Sequence, residues 1–147
     1  MQGNSDENEL PSLRADQLSP VKLRRVEKFI HEHLSDQITL KQLATVACYS
    51  PSRFLLLFRN ATGHSPHQYV MLQRLERARA LVLNTDFTLV DVASSCGFAD
   101  QSHLIRLFKR HTGMTPNKLR QTKHQAPSGI NNIYHYIRND TGMQSTG

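Results

Sequence analysis

The chain says the same thing twice. Thr39-Leu40-Lys41-Gln42-Leu43-Ala44 returns as Thr88-Leu89-Val90-Asp91-Val92-Ala93, an offset of 49 residues. Farther along, Leu57-Phe58 returns as Leu107-Phe108, and Thr62-Gly63-His64-Ser65-Pro66 as Thr112-Gly113-Met114-Thr115-Pro116, now at an offset of 50. The second copy therefore carries one extra residue between Ala99 and Ser102. A period of this length marks one supersecondary unit used twice, and two copies are too few for a solenoid. In 147 residues the expectation is one domain, or two small subdomains sharing a helix.

Helix start and stop signals place the elements. Ser19-Pro20 reads as an N-cap followed by Pro at the first helical position, and Leu23, Val26, Ile30 and Leu34 continue at helical spacing to about residue 35. Thr39 with Gln42 forms a capping box for a second helix, and Ser50-Pro51 opens a third that Gly63 ends. Ser65-Pro66 opens a long fourth helix running to about Asn84. Thr88 with Asp91 opens a fifth, a sixth follows Asp100 and closes at Gly113, and Thr115-Pro116 opens a short seventh. No segment sustains period-two alternation, so the fold class is all-α: seven helices, with two helix-turn-helix subdomains (39–62 and 88–112) joined by a linker helix at 66–84. Residues 1–18 form a loose acidic segment, and 123–147 a tail with a possible short helix at 129–138 through Ile130, Ile133, Tyr134 and Ile137. That helix either packs back on the body or serves an oligomer contact.

Charge narrows the partner. Residues 1–18 carry a net −3, whereas 52–124 carry a net +7, and the whole chain has a pI near 9.7. A positive body of this kind favours a polyanion, with a merely solvated basic face as the bland alternative. Two cysteines, Cys48 and Cys96, argue against a disulfide scaffold and fit a reducing cytoplasm. No run of eighteen apolar residues and no signal-peptide pattern occurs, so no membrane partner is expected. His31 and His33 point to different helix faces, and His64 and His67 flank a helix start; neither pair is a plausible metal site, and no phosphate-cradling Gly loop, activated nucleophile or carboxylate pair is present. Neither enzyme activity nor a cofactor is expected.

Helix, short turn, helix is the arrangement in which a second helix enters the major groove while the first braces it across the backbone. A nineteen-residue linker helix is about 28 Å long at 1.5 Å per residue. Major grooves on one face of B-DNA recur about every 34 Å. Two reading helices at 51–61 and 100–111 would then enter successive grooves of an asymmetric site of roughly 20 bp.

The run from Cys96 through Gly97-Phe98-Ala99-Asp100-Gln101-Ser102-His103-Leu104-Ile105-Arg106-Leu107-Phe108-Lys109-Arg110-His111-Thr112-Gly113 to Met114-Thr115-Pro116 resembles the signature of the AraC/XylS family of bacterial transcription regulators. The likeness extends from about Pro20 to Gln121. It implies a seven-helix domain binding double-stranded DNA, usually activation through RNA polymerase, and a nucleoid-associated place in a bacterial cytoplasm. No small-molecule effector is evident in the chain. Carried over position by position, Gln101, Ser102, His103 and Arg106 become base readers in the second unit. Their chemistry suits the task, since Gln pairs bidentately with adenine and Arg with guanine. Lys109, Arg110 and Lys118 become phosphate contacts that position rather than specify.

The first unit departs from the family pattern. Ser52, Arg53 and Leu56 occupy its reading positions, with Leu55 beside them and Arg59 as a phosphate contact. Leucine touches a thymine methyl but donates no hydrogen bond. Cys48 stands where the second copy has Gly97; a positive φ there would cost Cys about 1 kcal/mol. The second unit is therefore expected to dominate specificity. The leading reading is a sequence-specific DNA-binding regulator, most simply an activator. The alternative is a degenerate helix-turn-helix module that sequesters a regulator or a polymerase subunit through Leu55-Leu56. A third reading is the DNA-targeting part of a larger sensor or enzyme whose other domain lies elsewhere.

Overall fold

A computed structural model describes residues 17–123. The helix expected at 129–138 and most of the acidic segment lie outside the described residues. Among those described there are seven α-helices and no strand: α1 (Pro20–Glu32), α2 (Leu40–Ala47), α3 (Pro51–Thr62), α4 (Pro66–Asn84), α5 (Leu89–Ser95), α6 (Gln101–Thr112) and α7 (Pro116–Thr122).

The caps explain these bounds. Ser19, Thr39, Ser50, Thr88, Asp100 and Thr115 each sit in extended backbone and accept from the amide three residues on, satisfying a donor that the helix itself leaves open. At Thr39 the box is complete, with Gln42 Oε1 accepting from the Thr39 amide at 2.8 Å. At Thr88 it closes differently. The shorter Asp91 side chain stops at the Thr88 hydroxyl, which donates to Oδ2 at 2.9 Å. Helix α1 ends at Glu32 rather than near 35. There His33 leaves helical backbone, its Nδ1 lies 2.8 Å from the Phe29 carbonyl, and its ring stacks on Phe29.

The chain divides into two compact units. Among the described residues, the first comprises 17–33 together with Gln37–Val70, and the second comprises Leu34–Asp36 and 71–123. Helix α4 supplies its first turn to the first unit and the remainder to the second.

In the first unit α1 packs on α2 and α2 on α3. Its core holds Val26, Ile30, Leu43, Phe54, Leu57 and Phe58, all essentially without exposure. Phe58 stacks obliquely on Phe54 and takes the edge of Tyr69 at 5.2 Å, while the Tyr69 hydroxyl donates to Glu27 Oε1 at 2.9 Å. In the second unit Leu75, Ala78, Val82, Val92, Leu104 and Phe108 form a continuous buried cluster. Burying each large apolar side chain stabilises the unit by about 1.5–3 kcal/mol. These cores fix which face of α3 and which face of α6 is left to solvent.

Candidate nucleic-acid interface

The two copies agree to the level of single hydrogen bonds. After α2, the Tyr49 amide donates to the Ala44 carbonyl at 2.9 Å; after α5, the Phe98 amide donates to Ala93 at the same distance. Cys48 and Gly97 both adopt the left-handed conformation, at φ 64° and 82°. At the far ends, Gly63 and Gly113 close α3 and α6 with matching left-handed turns. Thr62 and Thr112 back-bond to Phe58 and Phe108.

The copies differ at the turn. Ser50 caps α3 directly after Tyr49, whereas Ala99 intervenes before Asp100 caps α6. Ala99 is thus the inserted residue, and it lies in the turn rather than in either helix. It leaves the internal periodicity of α6 intact.

On α6, Leu104 and Phe108 are buried while Gln101, Ser102, Arg106, Lys109 and Arg110 are exposed. These five residues recur at helical spacing and line one side of the helix. His103 is half-buried. Its backbone amide donates to Asp100 Oδ1 at 2.8 Å, its Nδ1 accepts from the Ala99 amide at 3.2 Å, and its ring meets Phe98 edge-on at 5.5 Å. Lys118 on α7 is exposed too.

On α3 the corresponding face carries Ser52, Arg53, Leu56 and Arg59, all exposed, around buried Phe54, Leu57 and Phe58. At the 50-residue offset Leu56 matches Arg106, and it is 49 % exposed. Its neighbour Leu55 is half-buried. The two leucines therefore separate: one leans into the unit, the other stands out.

Not every cation is available to a ligand. The Arg74 guanidinium donates from Nε to the Leu34 carbonyl at 3.0 Å and from Nη2 to the Asp36 carbonyl at 2.7 Å. Arg120 donates from Nε to Val82 at 3.1 Å and from Nη2 to Phe87 at 2.8 Å. Each planar fork satisfies backbone oxygens that precede a bracing helix, a task to which an ammonium is poorly suited. Neither anchor is legible in the sequence, because the acceptors lie 33 to 40 residues away along the chain.

Burial also sets the chemistry of the remaining titratable groups. Desolvation pushes the Cys96 thiol up to about 11, partly offset by Arg77 and Arg74. Cys48, by contrast, is exposed. Desolvation raises Glu76 as well, against the pull of Arg79, 3.9 Å away. Among the described residues no cluster of three or more His, Cys, Asp or Glu side chains is placed to hold a metal, and no helix is long and apolar enough to cross a membrane.

Two helix-turn-helix units, each with an exposed polar face on its second helix, match known proteins directly. Residues 43–122 match the family model described as a helix-turn-helix domain. This chain belongs to the AraC/XylS family. Members of that family are DNA-binding transcription regulators rather than enzymes. AraC-family relatives include the probable transcriptional regulator LumQ of Photobacterium leiognathi, 37% identical over 93 residues, covering 63% of this chain and 38% of LumQ. The arabinose operon regulatory protein of Escherichia coli is 33% identical over 100 residues, covering 67% of this chain and 34% of that protein. Among solved AraC-type structures, the DNA-binding domain of AdpA in complex with a target DNA is 32% identical with a TM-score of 0.67, covering 73% of this chain and 97% of that domain. The chain spans less than two-fifths of the length of these curated AraC-family relatives.

Proposed function

We propose that this chain binds double-stranded DNA in a sequence-specific way, with α3 and α6 as recognition helices in successive major grooves, and that it regulates transcription. The observation that carries the reading is the exposed face of α6. Gln101, Ser102 and Arg106 stand where bases would be read, and Lys109 and Arg110 stand one turn farther along, where phosphates would be held. Lys118 and Arg59 add phosphate contacts. Activation through RNA polymerase, in a bacterial cytoplasm at the nucleoid, is the outcome this reading favours.

Ser52, Arg53 and Leu56 give the first unit a weaker reading surface. Arg53 and Arg59 supply charge, but Leu56 offers a duplex only apolar contact. Its exposure favours a second reading for this unit alone, a protein contact through Leu56.

Selection of binding sites from random duplexes tests the proposal. Two sequence boxes about one helical turn apart are expected. A single box would leave α6 as the sole reader, and recovery of no sequence at all would refute the assignment.

A further inference from the structure

The inserted residue Ala99 and the side chain of His103 meet in one hydrogen bond, and its chemistry is restrictive. A backbone N–H can only donate, so His103 Nδ1 must be the acceptor. In this bond the ring turns Nδ1 to the amide as acceptor, which leaves Nε2 as its N–H side. The same residue donates its own backbone amide to Asp100 Oδ1. The two bonds run in opposite directions across the start of α6. They resemble a capping box, with a histidine at the third helical position and its side chain reaching one residue beyond the N-cap. Phe98, 6 % exposed, packs its ring edge-on against the imidazole and limits its rotation.

The first copy cannot build this arrangement. Ser50 follows Tyr49 directly, so no residue matches Ala99, and Arg53 stands where His103 stands. An arginine has no acceptor nitrogen.

We infer that His103 is a positioning residue for the second recognition helix: it clamps the inserted amide of Ala99 and thereby sets where α6 begins and how Gln101, Ser102 and Arg106 are aimed. The clamp also leaves Nε2–H as the single donor that His103 offers to any ligand. The effect on DNA rests on α6 being a reader; the clamp itself does not.

Three variants separate clamp from contact. His103→Asn keeps an acceptor near the Nδ1 position, His103→Gln keeps a polar group near Nε2, and His103→Ala keeps neither. Amide hydrogen exchange at Ala99 and the imidazole tautomer, both read by nuclear magnetic resonance on the full chain, test the clamp without DNA. Protection of the Ala99 amide is expected in the wild type and H103N and lost in H103Q and H103A. A duplex recovered by site selection is the binding probe. H103N should bind it within about threefold of wild type, and H103Q and H103A each about tenfold more weakly, the scale of one lost hydrogen bond. A proton on Nδ1, or unchanged Ala99 exchange in H103A, overturns the clamp. Wild-type binding by H103Q together with loss in H103N would assign His103 to direct contact through Nε2 and overturn the positioning role. If no duplex is bound while the exchange pattern holds, the proposed function fails and the clamp stands.

Discussion

The backbone carbonyl of Leu34 occupies the space in which a Cβ on Gly97 would have to stand. Gly97 is therefore required twice over, by its φ of 82° and by close approach, with Arg74 Nε also only 2.8 Å from that point. Cys48 shares the left-handed backbone at φ 64°, yet its side chain reaches solvent. Gly97→Ala should destabilise the protein by about 3 kcal/mol or more, since both strain and overlap must be relieved. Cys48→Gly should stabilise it by about 0.5–1 kcal/mol, because only the strain is removed. Denaturant unfolding of both variants measures this; equal effects of the two substitutions would refute the distinction.

Arg106 and Leu56 hold the same place in the two copies and should respond oppositely. Arg106→Ala should relax base discrimination by about 1–3 kcal/mol, the range of a bidentate arginine–guanine pair. Arg53→Ala should do less. Leu56→Arg should tighten binding to duplexes generally, because it restores a cation to an exposed position of α3. Mobility shifts on matched and mismatched duplexes read these changes, and a larger loss from Arg53→Ala than from Arg106→Ala would reverse the ranking of the units.

Thiol chemistry should tell the two cysteines apart. The thiolate is the reactive form, and burial holds Cys96 at about 11. A water-soluble alkylating reagent at pH 8 should modify Cys48 in the native protein and reach Cys96 only on unfolding. Mass spectrometry of peptides from a timed reaction checks this, and equal rates at the two sites would contradict the burial of Cys96.

Glu76 carries a stability signature of definite sign. Burial raises its pKa, and its Oε1 is enclosed without a hydrogen-bond partner. For an acid whose folded pKa is raised, the associated stability is complete below the unfolded value and is lost as pH rises through the folded value. At neutral pH the ionised carboxylate is therefore a burden that Arg79 only partly offsets. Glu76→Gln should stabilise the protein by about 0.5–1 kcal/mol at pH 7, with the advantage shrinking toward pH 4. Melting temperatures across this range decide the matter; a constant difference would mean that titration plays no part.

What was legible in the sequence was whatever has a local cause. Ser and Thr caps, Pro at first helical positions and Gly at ends act within a turn of the chain, so α2 to α7 begin within a residue of where those signals place them, and α3 and α6 end at the glycines that mark their ends. The repeat also exposed a one-residue insertion, but it placed the extra residue between Ala99 and Ser102; the matched turns and caps of the structure move it to Ala99, ahead of the Asp100 cap. Long-range causes left no mark. Nothing near Arg74 or Arg120 announces that each will bond carbonyls far back in the chain. Periodicity placed Leu34 at the end of α1, whereas it is buried with the second unit. For the candidate site, residue type and spacing identified the exposed face of α6, but not that the Nδ1 of His103 is already engaged.

Ala99 also limits how the two copies could be interchanged. A chimera carrying α6 in place of α3 would inherit His103 without the backbone amide it grips, since Ser50 follows Tyr49 with no residue between. Transplanting a reading preference from one half to the other therefore requires the segment from Gly97 onward, turn included. The transferable module is a strand of chain longer than the recognition helix, and its boundary is drawn by a single histidine.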